Sequence, residues 1–98
     1  MINLDRLKKQ LVIDEGLELK PYHCSADKLT IGVGRNIQEV GITKDEALYL
    51  LGNDIARCAG ECTREFPWFA ELTQLRKEAV INLVFNMGMA TFKKFKKT

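Results

Sequence analysis

Glu15, Cys24 and Thr30 bring a carboxylic acid, a thiol and a hydroxyl into one short stretch, IDEGLELKPYHCSADKLTIGVG. Eight residues separate the glutamate from the cysteine, and five separate the cysteine from the threonine. The stretch reads as a helix end followed by a β-hairpin, which can set the three groups around one cleft. Cleavage of a glycosidic bond needs such a set: an acid for the leaving oxygen and a second group on the opposite face of the sugar. Each residue also has a plainer use. A Glu ahead of a Gly at a helix end is ordinarily a solvated charge, a Cys in a turn is ordinarily half-buried, and a Thr in a strand needs no function.

The elements that must position these groups can be read from pattern. A first helix is expected from about Leu4 to Glu15, with Asn3 as N-cap, Leu4, Leu7, Leu11 and Val12 as its apolar stripe, and Gly16 as its stop. Leu17 to Tyr22 reads as a strand interrupted by Pro21, Ser25 to Lys28 as a turn, and Leu29 to Val33 as a second strand. Arg35 to Gly41 reads as a loop with room for a third short strand. Thr43-Lys44-Asp45-Glu46 has the form of a capping box, in which hydroxyl and carboxylate satisfy each other's open backbone donors. Ala47, Leu48, Leu51, Ile55, Cys58 and Cys62 follow at helical spacing, until Arg64 to Trp68 breaks the pattern around Pro67. A short helical turn over Trp68 to Leu72 leads to a helix capped by Thr73 and stopped by Gly88. Met89 to Thr98 begins a further helix. The pattern implies an α+β fold.

Composition bounds the function classes. At 98 residues the chain is at most one domain, with 46% hydrophobic and 29% charged residues, as in ordinary globular proteins. A net charge of +2 is too small to indicate nucleic acid as a partner. The segment Phe92-Lys93-Lys94-Phe95-Lys96-Lys97 concentrates charge and suits a polyanionic surface. The three cysteines are an odd number, which suits a reducing compartment. Cys58 and Cys62 lie four apart on a helix with no His nearby, so two buried thiols are expected and not a zinc site. No metal or cofactor is expected. The N-terminus has no apolar central run of a signal peptide, and no stretch approaches the roughly 18 apolar residues of a membrane span.

Four blocks carry a resemblance: IDEGLELKPY, LTIGVGRNI, GITKDEA and AVINLVFNMG, in that order. Together they resemble the phage-type lysozymes, the endolysin family of T-even and related tailed phages, from about Leu4 to Phe95. The resemblance implies a lysozyme-like fold: a small β-sheet lobe at about 16–42 and a helical lobe at about 43–98 that also takes the N-terminal helix, joined by a long helix. It implies that Glu15 is the catalytic acid, that Cys24 stands at the second catalytic position, which is usually Asp, and that Thr30 completes the set. The reaction implied is hydrolysis of the β-1,4 bond between N-acetylmuramic acid and N-acetylglucosamine in bacterial peptidoglycan during host lysis. It further implies substrate contacts at Gly34, Phe85 and Asn86. Localisation is expected in the host cytoplasm before lysis, then at the cell wall.

To donate, Glu15 must keep its proton, which calls for burial beside the hairpin. A free thiol has a pKa of about 8.5, so Cys24 is expected to be mostly neutral, and an ionised Glu15 would raise it further. His23 would lower it only from the same side of the strand, and adjacent strand residues point to opposite faces. Cys24 then acts as nucleophile or positions a water, with Thr30 holding that water or the thiol. The sugar's own 6-hydroxyl can also replace water, which would make the enzyme a lytic transglycosylase. A wall- or membrane-binding remnant is the reading without catalysis. The family continues through further helices that supply a basic partner for the glutamate, and the short loop between Gly34 and Ile42 implies a small lip on the cleft. A chain without those helices is expected to be less stable. It would expose Leu83, Val84, Phe92 and Phe95, inviting oligomers or domain swaps.

Overall fold

The structure, a computed structural model, describes residues 1–96; the expected run of the last helix over Lys97 and Thr98 lies outside the described residues. The chain forms two compact units, residues 1–43 and 44–98, in an α+β arrangement.

In the first unit, helix α1 spans Leu4–Glu15. Asn3 caps it by accepting the Arg6 N–H on its side-chain oxygen at 3.0 Å. Gly16 ends it at φ 80°, where its N–H donates to the Val12 carbonyl. Strands β1 (Glu18–His23), β2 (Leu29–Gly32) and β3 (Arg35–Asn36) form an antiparallel sheet in chain order. The β1–β2 register pairs His23 with Leu29 and Tyr22 with Thr30, then slips before Glu18 pairs with Gly32. Pro21 lies inside that slip, where its missing N–H costs the ladder least. The first strand therefore runs through Pro21 and reaches His23, one residue past its expected end. The second ends at Gly32, short of Val33, because Gly32 and Gly34 both take a φ of 74° to turn the chain into β3.

In the second unit, helix α2 spans Lys44–Glu65 and a 3₁₀ turn follows at Pro67–Glu71. Helix α3 spans Gln74–Met87 and α4 spans Met89–Lys96. Thr73 caps α3 by accepting the Arg76 N–H, and Gly88 separates the last two helices at φ 87°. The core gathers Cys58, Cys62, Phe66, Phe69, Val84 and Phe92, with Leu72, Val80, Ile81, Met87 and Met89 packed against it. The Phe66 ring stacks on Trp68 at 4.8 Å between centroids and meets Phe92 edge-on at 5.4 Å.

The apolar stripes are exposed along much of two helices, and one face expected to be exposed is partly buried. The α1 stripe of Leu4, Leu7, Leu11 and Val12 is exposed, as are Leu48, Leu51 and Ile55 of α2. Helical spacing identifies a common face, but a face is buried only where another element lies on it, and on α2 that happens at Cys58 and Cys62. Conversely, Val84 and Phe92 do not form an exposed face with Leu83 and Phe95. Both are 4% exposed, because the turn at Gly88 folds α4 back so that Phe92 meets Phe66. Leu83 and Phe95 are exposed. Among the described residues, no helix is long and apolar enough to cross a membrane.

Candidate active site

The sulfur of Cys24 sits where β1 gives way to a tight turn. The Cys24 N–H donates to the Lys28 carbonyl at 3.0 Å, and the Asp27 N–H donates to the Cys24 carbonyl at 2.8 Å. Asp27 takes a φ of 59°, a left-handed conformation that Asp tolerates better than most residues. Folded this way, the turn aims N–H groups back at its own first side chain. The N–H groups of Lys28 and Ala26 and the Thr30 hydroxyl, in that order, hold the Cys24 thiol below its ordinary value of 9.0. The shift thus comes from the turn and Thr30, with neither Glu15 nor His23 among its causes. The polar run Ser25-Ala26-Asp27-Lys28 signals the turn, but the direction of its N–H groups depends on the backbone angles at Asp27.

Thr30 is 3% exposed and faces Cys24 across the hairpin. Its hydroxyl donates to the Lys28 carbonyl at 2.8 Å, so that carbonyl accepts from both Thr30 and the Cys24 N–H. A hydroxyl carries one hydrogen and two lone pairs. It can accept from the thiol while bonded to Lys28, and turn its hydrogen to the sulfur when the thiol ionises.

Glu15 is the last residue of α1, and its Oε2 would lie 3.7 Å from a Cβ built on Gly34. The carboxyl therefore lies over the backbone of the β2–β3 turn. It is exposed, in contrast to the burial expected beside the hairpin. The structure thus forms two pairs within the first unit, Glu15 with Gly34 and Cys24 with Thr30, linked by strand β2.

Phe85 and Asn86 belong to the second unit. They line an open groove of about 320 Å³ with Leu51, Ile55, Glu78, Ile81 and Asn82. The Phe85 ring is exposed and not part of the core. The Asn86 amide donates to the Asn82 carbonyl at 2.9 Å and to the Asn82 side-chain oxygen at 2.7 Å, which fixes its orientation on α3.

The phage lysozyme family matches residues 13–97 of this chain. Over 82 residues the chain is 39% identical to an endolysin of Acyrthosiphon pisum secondary endosymbiont phage 1, an alignment that covers 80% of this chain and 54% of that protein. The chain spans about half the length of this curated relative. With the match running from the end of α1 through α4, the chain belongs to the phage lysozyme family.

Proposed function

We propose that this chain carries the catalytic residues of an endolysin muramidase, which hydrolyses the β-1,4 bond between N-acetylmuramic acid and N-acetylglucosamine in peptidoglycan during phage-induced host lysis. The observation that carries the reading is the presence, within one unit, of an accessible Glu15 carboxyl over the Gly34 backbone and of a Cys24 thiol held below its ordinary value by its own turn. Family membership and the named relative support it. Synthesis in the host cytoplasm and action on the wall after release follow from that reading.

Glu15 donates its proton to the glycosidic oxygen as the bond to C1 breaks. The Cys24 thiolate attacks C1 from the opposite face, and Thr30 turns its hydroxyl toward the sulfur. Water then displaces the sulfur, giving up its proton to the Glu15 carboxylate, and the thiolate is restored. In the alternative use of the same groups, the thiolate takes a proton from a water that attacks C1 directly. Gly34 lets the sugar approach the carboxyl closely. Phe85 presents an aromatic face and Asn86 an amide, groups that suit a pyranose ring and its N-acetyl substituent.

The test is lysis of outer-membrane-permeabilised bacteria by this chain and by Glu15→Gln. A loss of at least about a hundred-fold is expected from removal of the general acid, and equal lysis by both proteins would end the reading. Cys24→Ser and Cys24→Asp separate the roles of the thiol. A nucleophile or base is lost in Ser and kept in Asp, whereas a group that only positions water survives both changes.

A further inference from the structure

We propose that Gln38, assisted by Glu39, is a positioning residue for Cys24: the loop after β3 clasps the Cys24–Lys28 turn and keeps its N–H groups and the Thr30 hydroxyl directed at the sulfur. The proposal rests on the catalytic reading of Cys24 given above.

The peptide unit joining Lys28 to Leu29 is the centre of the arrangement. On one edge its carbonyl accepts from the Cys24 N–H at 3.0 Å and from the Thr30 hydroxyl at 2.8 Å. On the other edge the Leu29 N–H donates to the side-chain oxygen of Gln38 at 3.0 Å. A peptide is planar, with C=O and N–H directed oppositely, so a bond to one edge fixes the direction of the other. Gln38 therefore sets the tilt of the plane that holds both Cys24 and Thr30. Its own N–H donates to the Leu29 carbonyl at 3.2 Å, so the residue grips Leu29 from both sides. The Lys28 ammonium pairs with Glu39 at 2.7 Å, which ties down the residue whose N–H is the leading donor to the sulfur. Both side chains of that pair are partly solvated, so its contribution is the smaller one.

The clasp is itself braced. The Asn36 side-chain oxygen accepts the Glu39 N–H at 3.0 Å, and the Val40 N–H donates to the Asn36 carbonyl at 2.9 Å. The Arg35 guanidinium donates to the Gly41 carbonyl at 3.0 Å. Asn36 also pairs with Thr30 across β2 and β3. One network thus runs from the loop through Asn36 and Gln38 to the turn that carries the thiol. The loop, which the sequence suggests only as one lip of a cleft, acquires a role in holding the reactive turn.

The experiment follows the rate of Cys24 alkylation by iodoacetamide against pH, with the modified peptide identified by mass spectrometry. Cys58 and Cys62 are buried and serve as slow internal references. In Gln38→Met, which keeps the length but lacks the acceptor, the pH midpoint of alkylation is expected to rise. The rate at pH 7 is expected to fall about three-fold, the scale of one neutral hydrogen bond. Gln38→Glu restores an acceptor oxygen, and any shift from its added charge should vanish in about 0.5 M salt, leaving the profile of the parent. Glu39→Asp, which keeps the charge but shortens the reach to Lys28, should move it in the same direction as Gln38→Met, but less. Circular dichroism establishes that each variant is folded, and if Gln38→Met is not, the charge-conserving Glu39→Asp decides. An unchanged midpoint in the folded variants would overturn the clasp. Because alkylation needs no turnover, a shifted profile together with equal lysis by Glu15→Gln would retain the clasp and reject the muramidase reading.

Discussion

Thr30 shows how much one buried hydroxyl controls. Its hydrogen is committed to the Lys28 carbonyl in the resting turn, and ionisation of Cys24 calls for that hydrogen to move to the sulfur. Thr30→Val keeps the shape and removes the hydroxyl. The Lys28 carbonyl retains the Cys24 N–H, so the fold should lose only about 1 kcal/mol. Alkylation of Cys24 at neutral pH should slow, because a donor to the thiolate is gone while the N–H groups of Lys28 and Ala26 remain. An alkylation profile identical to the parent's would show that the hydroxyl does not reach the sulfur. Residue types were legible in the sequence at this scale, since a thiol and a hydroxyl six positions apart on a hairpin can be expected to meet. The sign of the thiol's shift was not legible, because it comes from backbone N–H groups whose direction no side chain reports.

At the scale of elements, helix α2 illustrates both the strength and the limit of pattern reading. Its helical spacing, its break before Pro67 and the shared face of Cys58 and Cys62 follow from the sequence, but which part of the face is buried does not. Cys62 is wholly buried, and that burial, with the neighbouring Cys58 adding to it, pushes its thiol up to about 11 from an ordinary 9.0. A raised value means that the folded state holds the proton more tightly than the unfolded chain. The associated stability is therefore present below about pH 9 and is lost as pH rises toward about 11. Urea melts at pH 7, 9 and 10.5 should show a declining midpoint across the last two. Cys62→Ala should flatten this part of the alkaline decline while costing about 1–2 kcal/mol at pH 7 for the small cavity. A parallel alkaline decline in the variant would mean that other groups cause it.

At the scale of the whole molecule, the buried apolar side chains among the described residues all lie between Cys58 and Phe92. The first unit, residues 1–43, holds the candidate catalytic residues yet buries only Thr30 to that degree. Its order rests on the sheet, the caps and the hydrogen-bonded turns. Stability should accordingly be uneven along the chain. Hydrogen exchange is expected to find the slowest amides around Cys62 and Val84, and faster exchange throughout α1 and β1. Equal protection of both units would contradict this. Phe85 and Asn86 belong to the better-packed unit, where they line its open groove.

The sequence by itself determined the element types, their order and most helix ends, with the strand and 3₁₀ boundaries displaced by about a residue. Capping residues, Gly and Pro act locally, so Asn3, Gly16, Thr73 and Gly88 mark the helix ends wherever the rest of the chain lies. It also determined which side chains could do chemistry, through their spacing and through the four blocks that resemble a known family. Tertiary structure alone decided which apolar residues are buried, since a stripe on a helix becomes core only when a second element covers it. It alone placed Glu15 over the bare backbone of Gly34. It also directed the peptide units of the Cys24 turn toward the sulfur and brought Gln38 to their far edge. Hydrogen-bond direction is a property of the folded backbone, and no count of residues between Glu15, Cys24 and Thr30 contains it.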